Sequence, residues 1–406
     1  MVLGVLFGSR SCEHDVSIVT AVQAMQNIDQ KKYNIVPVYI DRDGKWYTGD
    51  GLANMANYQV SMKEAYGVTP CIPAPYGGNK LALYKWPLRG FIFKMKPLAV
   101  IDVVLPAFHG VNGEDGSVQG MLELYNVPYA CPGITGSAVG MDKTVMKACF
   151  KGCGFPMLPY VWFTRDHYEK APNEIIMKIE EELTYPVFVK PANLGSSIGI
   201  SKANDREGLL NAIDIAKAYD RKILVENGLT ELDEINCAAV GFGEDVTVSL
   251  CEQPVSWEDF LTFDDKYMRS NSGKGMESLQ RKIPAPISDQ MTKTIQDMTR
   301  DVFNCLDLKG VCRIDYMIDK VTGNLYINEI NTIPGSLSFY LFEPLGIYYS
   351  KLIDMMIDSA IKAHEEKQKN DFSFDSQILK KVGSGLSGAK GGKLGGKMGG
   401  SKIGKM

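Results

Sequence analysis

Two short segments late in the chain hold the densest grouping of chemistry-bearing residues, Arg313-Ile314-Asp315 and Glu329-Ile330-Asn331. Both read as strands. Residues two apart on a strand share a face, so Arg313 and Asp315 point one way, as do Glu329 and Asn331. The strands Val311–Ile318 and Leu325–Asn331 are joined by a short turn containing Gly323, which would set the two pairs side by side. Two carboxylates and an amide oxygen in one patch make a hard-oxygen site for Mg2+, with room for phosphate oxygens and water. Arg313 alongside could neutralise charge on a transferred phosphoryl group or a tetrahedral intermediate. A solvated edge hairpin is the plainer reading, but the flanking residues are apolar, and buried carboxylates need a partner. Directly after, Asn331-Thr-Ile-Pro-Gly335 stops a strand at a turn, whose exposed N–H groups can bind an oxyanion or carboxylate.

The second constellation is Phe188-Val-Lys190-Pro-Ala-Asn-Leu-Gly195-Ser-Ser-Ile-Gly199. A strand delivers a lysine; a small-residue loop then opens backbone amides and the hydroxyls of Ser196 and Ser197, a combination suited to phosphate. The lysine precedes the glycines, so the order is not that of a P-loop, and a flexible Gly-Ser turn would look similar. Lys143, in Met-Asp-Lys, opens a helix, and Lys266, in Phe-Asp-Asp-Lys-Tyr267, lies in a long polar segment; each alone reads as a surface lysine. Glu226, ending the run Ile223–Glu226, could accept hydrogen bonds from a nucleotide ribose. Gly8-Ser-Arg-Ser-Cys-Glu13-His-Asp-Val-Ser17 joins a first strand to a first helix, where open α/β sheets bind ligands. Glu13 there could pair with an amino group, or merely favour the helix dipole. His109, in Phe-His-Gly-Val-Asn-Gly-Glu-Asp-Gly116, also follows a strand, as a polar substrate contact or a capping residue.

The elements that must hold these residues follow a βαβ rhythm. Val2–Phe7 reads as a strand, Gly8–Ser11 as a turn, Asp15–Ile28 as a helix, and Ile35–Ile40 and Leu98–Leu105 as further strands, with Asp102 inside the last. That rhythm predicts a parallel α/β sheet, closing near a strand-and-proline exit at Val127–Pro132. A second unit opens with a helix at Met141–Gly152 and continues through strands Tyr160–Phe163 and Val187–Pro191. A third holds the Arg313 and Glu329 strands. The long polar segment Ser256–Pro284 reads as a lid or binding loop, and a helix at Tyr348–Lys367 ends the folded part.

The 406 residues are 45% hydrophobic and 23% charged, an ordinary globular composition for two to four domains. Formal net charge is −4, but Lys380–Met406 carries seven lysines and no acid. The rest sets 37 basic against 48 acidic residues, which argues against nucleic-acid binding as the main role. So glycine-rich a tail should be disordered, serving as an anionic-surface contact or an inert solubilising extension. The nine cysteines contain no CxxC, the closest pair being Cys149 and Cys153, and with four histidines a zinc site has little support. Reduced thiols and a cytoplasmic protein are expected. The N-terminus lacks a basic signal-peptide region, and no apolar run is long enough to span a membrane.

Taken in order, the EHDVS segment, HGxxGEDG, MDK, KPANLGSS, DKY, RID and NEINTIPG resemble the D-alanine–D-alanine ligase family within the ATP-grasp fold, over roughly residues 1–367. The resemblance implies an N-terminal Rossmann-like domain (1–135) and two α+β ATP-grasp domains (136–226 and 227–367) that sandwich ATP, followed by a linker and tail (368–406). It implies that Asp315, Glu329 and Asn331 hold two Mg2+ ions, or Mn2+, bridging the nucleotide phosphates. Lys143, Lys190, Glu226 and Glu234 would contact ATP, with Glu226 at the ribose, while Ser197 and Lys266 would touch the transferred phosphate. Glu13 would bind the first D-alanine's ammonium and link through Ser196 to Tyr267; His109 would face substrate, and Arg313 with the Gly335 backbone would form the oxyanion hole. The implied reaction phosphorylates one D-alanine carboxylate and then displaces phosphate with the amine of a second, beneath a closing lid. A homodimer is also implied.

Two features depart from the family pattern. Five residues after the NTxPG glycine the family has a serine that contacts the second substrate's carboxylate; here Tyr340 stands there, with Ser338 as a possible substitute. After Tyr267 the lid continues as MRSNSGKGMESLQRK, longer and richer in Gly and Lys than usual. Both leave the acceptor open: D-alanine, D-serine, D-lactate or another amino acid. A nucleotide-binding regulatory protein without turnover is the reading from another class.

Overall fold

Strand β1 (Val2–Gly8), buried along nearly its whole length, feeds the helix His14–Asn27, which returns the chain to β2 (Asn34–Ile40) in parallel beside β1. The structure, a computed structural model, describes residues 1–88, 96–254, 281–374 and 379. From β2 the sheet continues as an antiparallel meander: β3 (Trp46–Thr48), β4 (Thr69–Tyr76), β5 (Lys80–Lys85) and β6 (Ala99–Ile101). β7 (Val103–Pro106) then pairs in parallel with the other side of β1, giving the order β6-β5-β4-β3-β2-β1-β7. The sheet expected to be parallel is therefore parallel over β2-β1-β7 and antiparallel beyond. The reason lies in the links: residues 41–45 and 77–79 are too short for the crossover that a parallel pair requires.

The single strand expected over Leu98–Leu105 splits at Asp102. The Asp102 carboxylate accepts the Val2 N–H at 2.7 Å and pairs with Lys80 at 2.7 Å. One residue cannot span seven strands, so the sheet curls until β6 meets β1. Gly4 permits this, since a Cβ there would lie 2.8 Å from Ile101 Cδ1. The exit at Val127–Pro132 forms no strand, only a parallel bridge between Tyr129 and Val104.

The second sheet is antiparallel, in the order β10-β9-β11-β8, with β8 (Tyr160–Thr164), β9 (Val187–Pro191), β10 (Ser201–Ala203) and β11 (Lys222–Asn227). The helices Pro172–Glu182 and Arg206–Tyr219 cover it through Ile175, Ile176, Leu209 and Ile213. In the third sheet, β12 (Leu232–Phe242) pairs with β13 (Asp245–Val248) on one side. A small ribbon follows, β14 (Gln253–Pro254) with β15 (Arg281–Lys282). On its other side β12 pairs with β16 (Lys309–Asp319), which pairs with β17 (Leu325–Asn331). Gly323, at φ +73°, makes the turn between the last two. The helices Lys143–Gly152 and Asp289–Cys305 pack on this sheet through Met146, Phe150, Ile295, Val302 and Phe303. The helix Tyr349–Gln368 follows.

Met1–His364 form one compact unit, which contains everything discussed below; Glu365–Met406 form another, of which Glu365–Gln368 finish that last helix. Most of the expected lid, with Lys266 and Tyr267, and the Gly/Lys tail lie outside the described residues. Among the described residues no helix is long and apolar enough to cross a membrane.

Candidate active site

β16 and β17 set Arg313 opposite Asn331 and Asp315 opposite Glu329, and directly opposed residues of an antiparallel pair share a face. The register then shifts, so that Tyr316 faces Ile327 and Asn328 is left over as a bulge. Bulges break the alternation of a strand, and here the neighbours Asn328 and Glu329 both line one cleft together with Asn331. Arg313 clasps Asp315 through both carboxylate oxygens, at 2.6 and 2.8 Å, and Asn331 Nδ2 donates to Asp315 at 2.9 Å. The Asn331 amide is thereby oriented with its nitrogen on Asp315. Burial opposes the Arg313 charge, but Asp315 more than compensates and holds its pKa above the usual value.

Two of the three lysines singled out in the sequence, Lys143 and Lys190, arrive at this face from other elements. Asp142 caps the helix Lys143–Gly152, accepting from the N–H groups of Thr144 and Val145. The helix thus begins at Lys143, whose Nζ bonds Glu329 at 3.0 Å and the Leu194 carbonyl at 2.8 Å. Burial works against the Lys143 charge; Glu329 outweighs it and raises the pKa. Lys190 leaves β9 to pair with Glu226 and donates to Asn328 at 3.2 Å. Glu226 also takes Lys147, at 2.8 Å. Burial alone would raise the Glu226 pKa, but the two ammonium groups bring it down to about 2. Glu226, read as a ribose contact, is thus held by two lysines. The sequence reading missed Lys147, although it lies one turn from Lys143 on the same helix face.

Glu13 is enclosed by glycines from the loops that follow β7 and β9. A Cβ at Gly110, whose φ is +71°, would stand 2.5 Å from Glu13 Oε2, and one at Gly195 would stand 3.1 Å from either carboxylate oxygen. Ser196 Oγ donates to Glu13. Ser196 and Ser197 sit at φ +54° and +59°, so the loop after Lys190 is turned sharply toward the first sheet. His109, buried, contacts Thr20 Oγ1 at 2.8 Å, and desolvation brings its pKa down to about 4, leaving it neutral at pH 7. Glu114, quoted only as part of a motif in the sequence, proves to be a linker. It accepts from the N–H groups of Gly110 at 2.9 Å and Ile333 at 2.8 Å. Burial, together with the charge of Glu13, pushes its pKa up to about 8.

Beyond Gly335 the backbone turns left-handed for three residues, Ser336, Leu337 and Ser338, at φ +50°, +54° and +52°. Such geometry costs about 1–2 kcal/mol per non-glycine residue, and burial of Leu337 in the core offsets part of it. The turn sends Ser338 into the interior, where its hydroxyl has no partner among the described residues, and it does not line the cleft. Tyr340 does. Its hydroxyl donates to Glu252 at 3.3 Å, and the Arg281 guanidinium lies 3.7 Å over its ring. Asn236 donates to Glu252 at 2.9 Å, and Arg281 approaches the same carboxylate at 3.5 Å. Neither Glu252 nor Arg281 was legible in the sequence.

The cleft thus gathers Glu13, His109, Lys190, Ser196, Ser197, Glu226 and Glu234, and with them Arg313, Asp315, Glu329, Asn331, Gly335 and Tyr340. Lys143 reaches it through Glu329.

Known proteins resemble this chain over most of its length. A family model described as "D-ala D-ala ligase N-terminus" matches residues 2–132, and one described as "D-ala D-ala ligase C-terminus" matches residues 149–358. The D-alanine–D-alanine ligase of Thermosipho africanus is 39% identical over 377 residues, spanning 93% of this chain and 98% of that protein. That of Heliobacterium modesticaldum is 38% identical over 376 residues, spanning 91% and 96%. Among solved structures, the D-alanine-D-alanine ligase from Coxiella burnetii superposes with a TM-score of 0.72 at 27% identity, covering 91% of this chain and 97% of that one. The VanG D-Ala:D-Ser ligase from Enterococcus faecalis gives 0.71 at 27% identity, covering 89% and 99%.

Proposed function

Since this chain belongs to the D-alanine–D-alanine ligase family, we propose that it joins two D-alanines at the expense of ATP, making the dipeptide of a peptidoglycan precursor. The observation that carries this reading is the convergence, in one cleft, of the Asp315, Glu329 and Asn331 oxygen donors, the buried Glu13 carboxylate and Lys190, with Lys143 joined to it through Glu329.

Asp315, Glu329 and Asn331 suit Mg2+. They are hard oxygen donors on one strand pair, and the Asn331 nitrogen is already turned onto Asp315, which leaves its oxygen to coordinate. Two ions bound there would supply charge neutralisation for the nucleotide phosphates. Lys143 and Lys190 would hold ATP, with Ser197 at the transferred phosphate and Glu234 further along the nucleotide. Glu13 would hold the first D-alanine's ammonium, fixed by its hydrogen bond from Ser196. That D-alanine's carboxylate attacks the γ-phosphorus, ADP leaves, and an acylphosphate results. The second D-alanine's amine adds to the acyl carbon; Arg313 and the Gly335 N–H would stabilise the oxyanion; phosphate leaves. Neutral His109 would support the substrate side without adding charge. Lys266 and Tyr267, by family likeness, would complete the phosphate contact and the Glu13–Ser196 link.

A second reading keeps the chemistry and changes the acceptor. It rests on Tyr340, which stacks on Arg281 and bonds Glu252 on the cleft wall where the family has a serine. We also take the three sheets to mark three domains, at 1–135, 136–226 and 227–367, and read the protein as a cytoplasmic homodimer.

The test is phosphate release from ATP and Mg2+ with D-alanine alone, then with D-serine or D-lactate added, with products identified by mass. Release giving the D-alanyl-D-alanine mass supports the first reading. Release only with a mixed acceptor selects the second, and none with any acceptor sinks both.

A further inference from the structure

Away from the cleft, three cysteines that the sequence scatters come together. Cys149 and Cys153 lie one turn apart, on and just after the helix Lys143–Gly152, and Cys305 is the last residue of the helix Asp289–Cys305. Their sulfurs all lie within 4.8 Å of one another, and those of Cys153 and Cys305 are 2.9 Å apart. Cys153 and Cys305 are exposed and Cys149 is half-buried, so solvent and small ions reach them.

We propose that Cys149, Cys153 and Cys305 form a binding site for a thiophilic divalent cation of the zinc type. Soft thiolates select such ions. A tetrahedral ion with Zn–S bonds of about 2.3 Å holds its sulfurs about 3.8 Å apart, so the Cys153–Cys305 pair needs to open by only about 0.9 Å. Water fills the fourth position on the exposed side. Each coordinating thiol releases its proton to solvent, and no oxidation state changes.

Two independent features favour a cation here. The site lies where two helices end, and helix C-termini carry partial negative charge that stabilises cations. The cluster also offers three sulfurs. A disulfide would use two and leave the third sulfur outside the bond.

The ion would tie together two elements that carry the cleft. The helix Lys143–Gly152 bears Lys143 and Lys147, while the helix Asp289–Cys305 leads directly into β16, which bears Arg313 and Asp315. Both helices already share one hydrophobic cluster.

The full chain, reduced and metal-free, is titrated with Co2+ in saturating Mg2+, which occupies oxygen sites. The expected result is a thiolate-to-cobalt charge-transfer band that saturates at one ion per chain, with Zn2+ raising the melting temperature and shielding three thiols from a thiol-reactive dye. Cys153→Ser and Cys305→Ser lose the band and the shift while keeping ATP turnover, since neither residue touches the cleft. Absence of the band, or its persistence in both variants, overturns the proposal. So does formation of a Cys153–Cys305 disulfide under a mild thiol oxidant in a chain that takes up no metal.

Discussion

The Glu114 carboxylate, which follows β7, accepts the backbone N–H of Ile333, just beyond β17, at 2.8 Å. Through this bond the loop bearing His109 and Gly110 holds the turn that presents Gly335. Because burial and the Glu13 charge push the Glu114 pKa up to about 8, well above the usual carboxylate range, the folded chain binds a proton that the unfolded chain has lost. Its contribution to stability is full below about pH 4.5 and declines as pH rises through about 8. Glu114→Gln keeps one oxygen for the Ile333 N–H, gives up the acceptor for the Gly110 N–H, and removes the titration. Melting temperatures of the unliganded protein between pH 5 and pH 8 should therefore fall less steeply in the variant; parallel profiles would contradict the assignment.

Glu329→Ala should abolish ATP turnover while far-ultraviolet circular dichroism stays native. Loss of a metal ligand raises the barrier on the order of several kcal/mol, and here it also leaves Lys143 without its 3.0 Å partner. Near-normal ADP release would refute the metal patch.

Glu226 answers to charge from two sides, Lys147 and Lys190. Glu226→Gln strands two buried ammonium groups and should cost about 3–5 kcal/mol in chemical denaturation. Lys147→Met, which leaves the Lys190 pair, should cost less. In the wild type the Glu226 pKa is depressed to about 2, so its contribution is present above about pH 4.5 and lost as pH falls toward 2. Equal losses in the two variants would show that Glu226 is not the shared centre.

Arg281 over the Tyr340 ring makes that pair the candidate reader of the acceptor. Arg281→Ala should raise the KM for the second amino acid by about tenfold or more, the worth of one charged hydrogen bond, without changing the KM for the first. Tyr340→Phe keeps the stacked ring and should do less. If both KM values rise together, the pair is structural.

The sequence exposed what is local. β9 and β17 have the bounds read from their apolar runs, and Arg313 with Asp315 shares a face as strand periodicity requires. It hid what is made by distant partners. Lys147 looks like any helix lysine until Glu226 arrives from β11, and Cys305 carries no signal until its helix end meets Cys153. β12, Leu-Asp-Glu-Ile-Asn-Cys-Ala-Ala-Val-Gly-Phe, is a central strand whose polar first half masks any alternation. The antiparallel half of the first sheet was hidden because β3 and β6 are too short to show a period. Lys266 and Tyr267 lie outside the described residues, so the contacts assigned to them rest on family likeness.

The bulge at Asn328 gives the site an unusual dependence on spelling. Regular alternation would turn Asn328 and Glu329 to opposite faces of β17, so the Lys190 contact and the Glu329 carboxylate share one face because β17 carries one extra residue. A descendant that lost that residue could still read Glu-Ile-Asn in print, pair cleanly with β16 and fold. The alphabet of the motif would survive while its punctuation, and with it the shared placement of Asn328 and Glu329, would be gone.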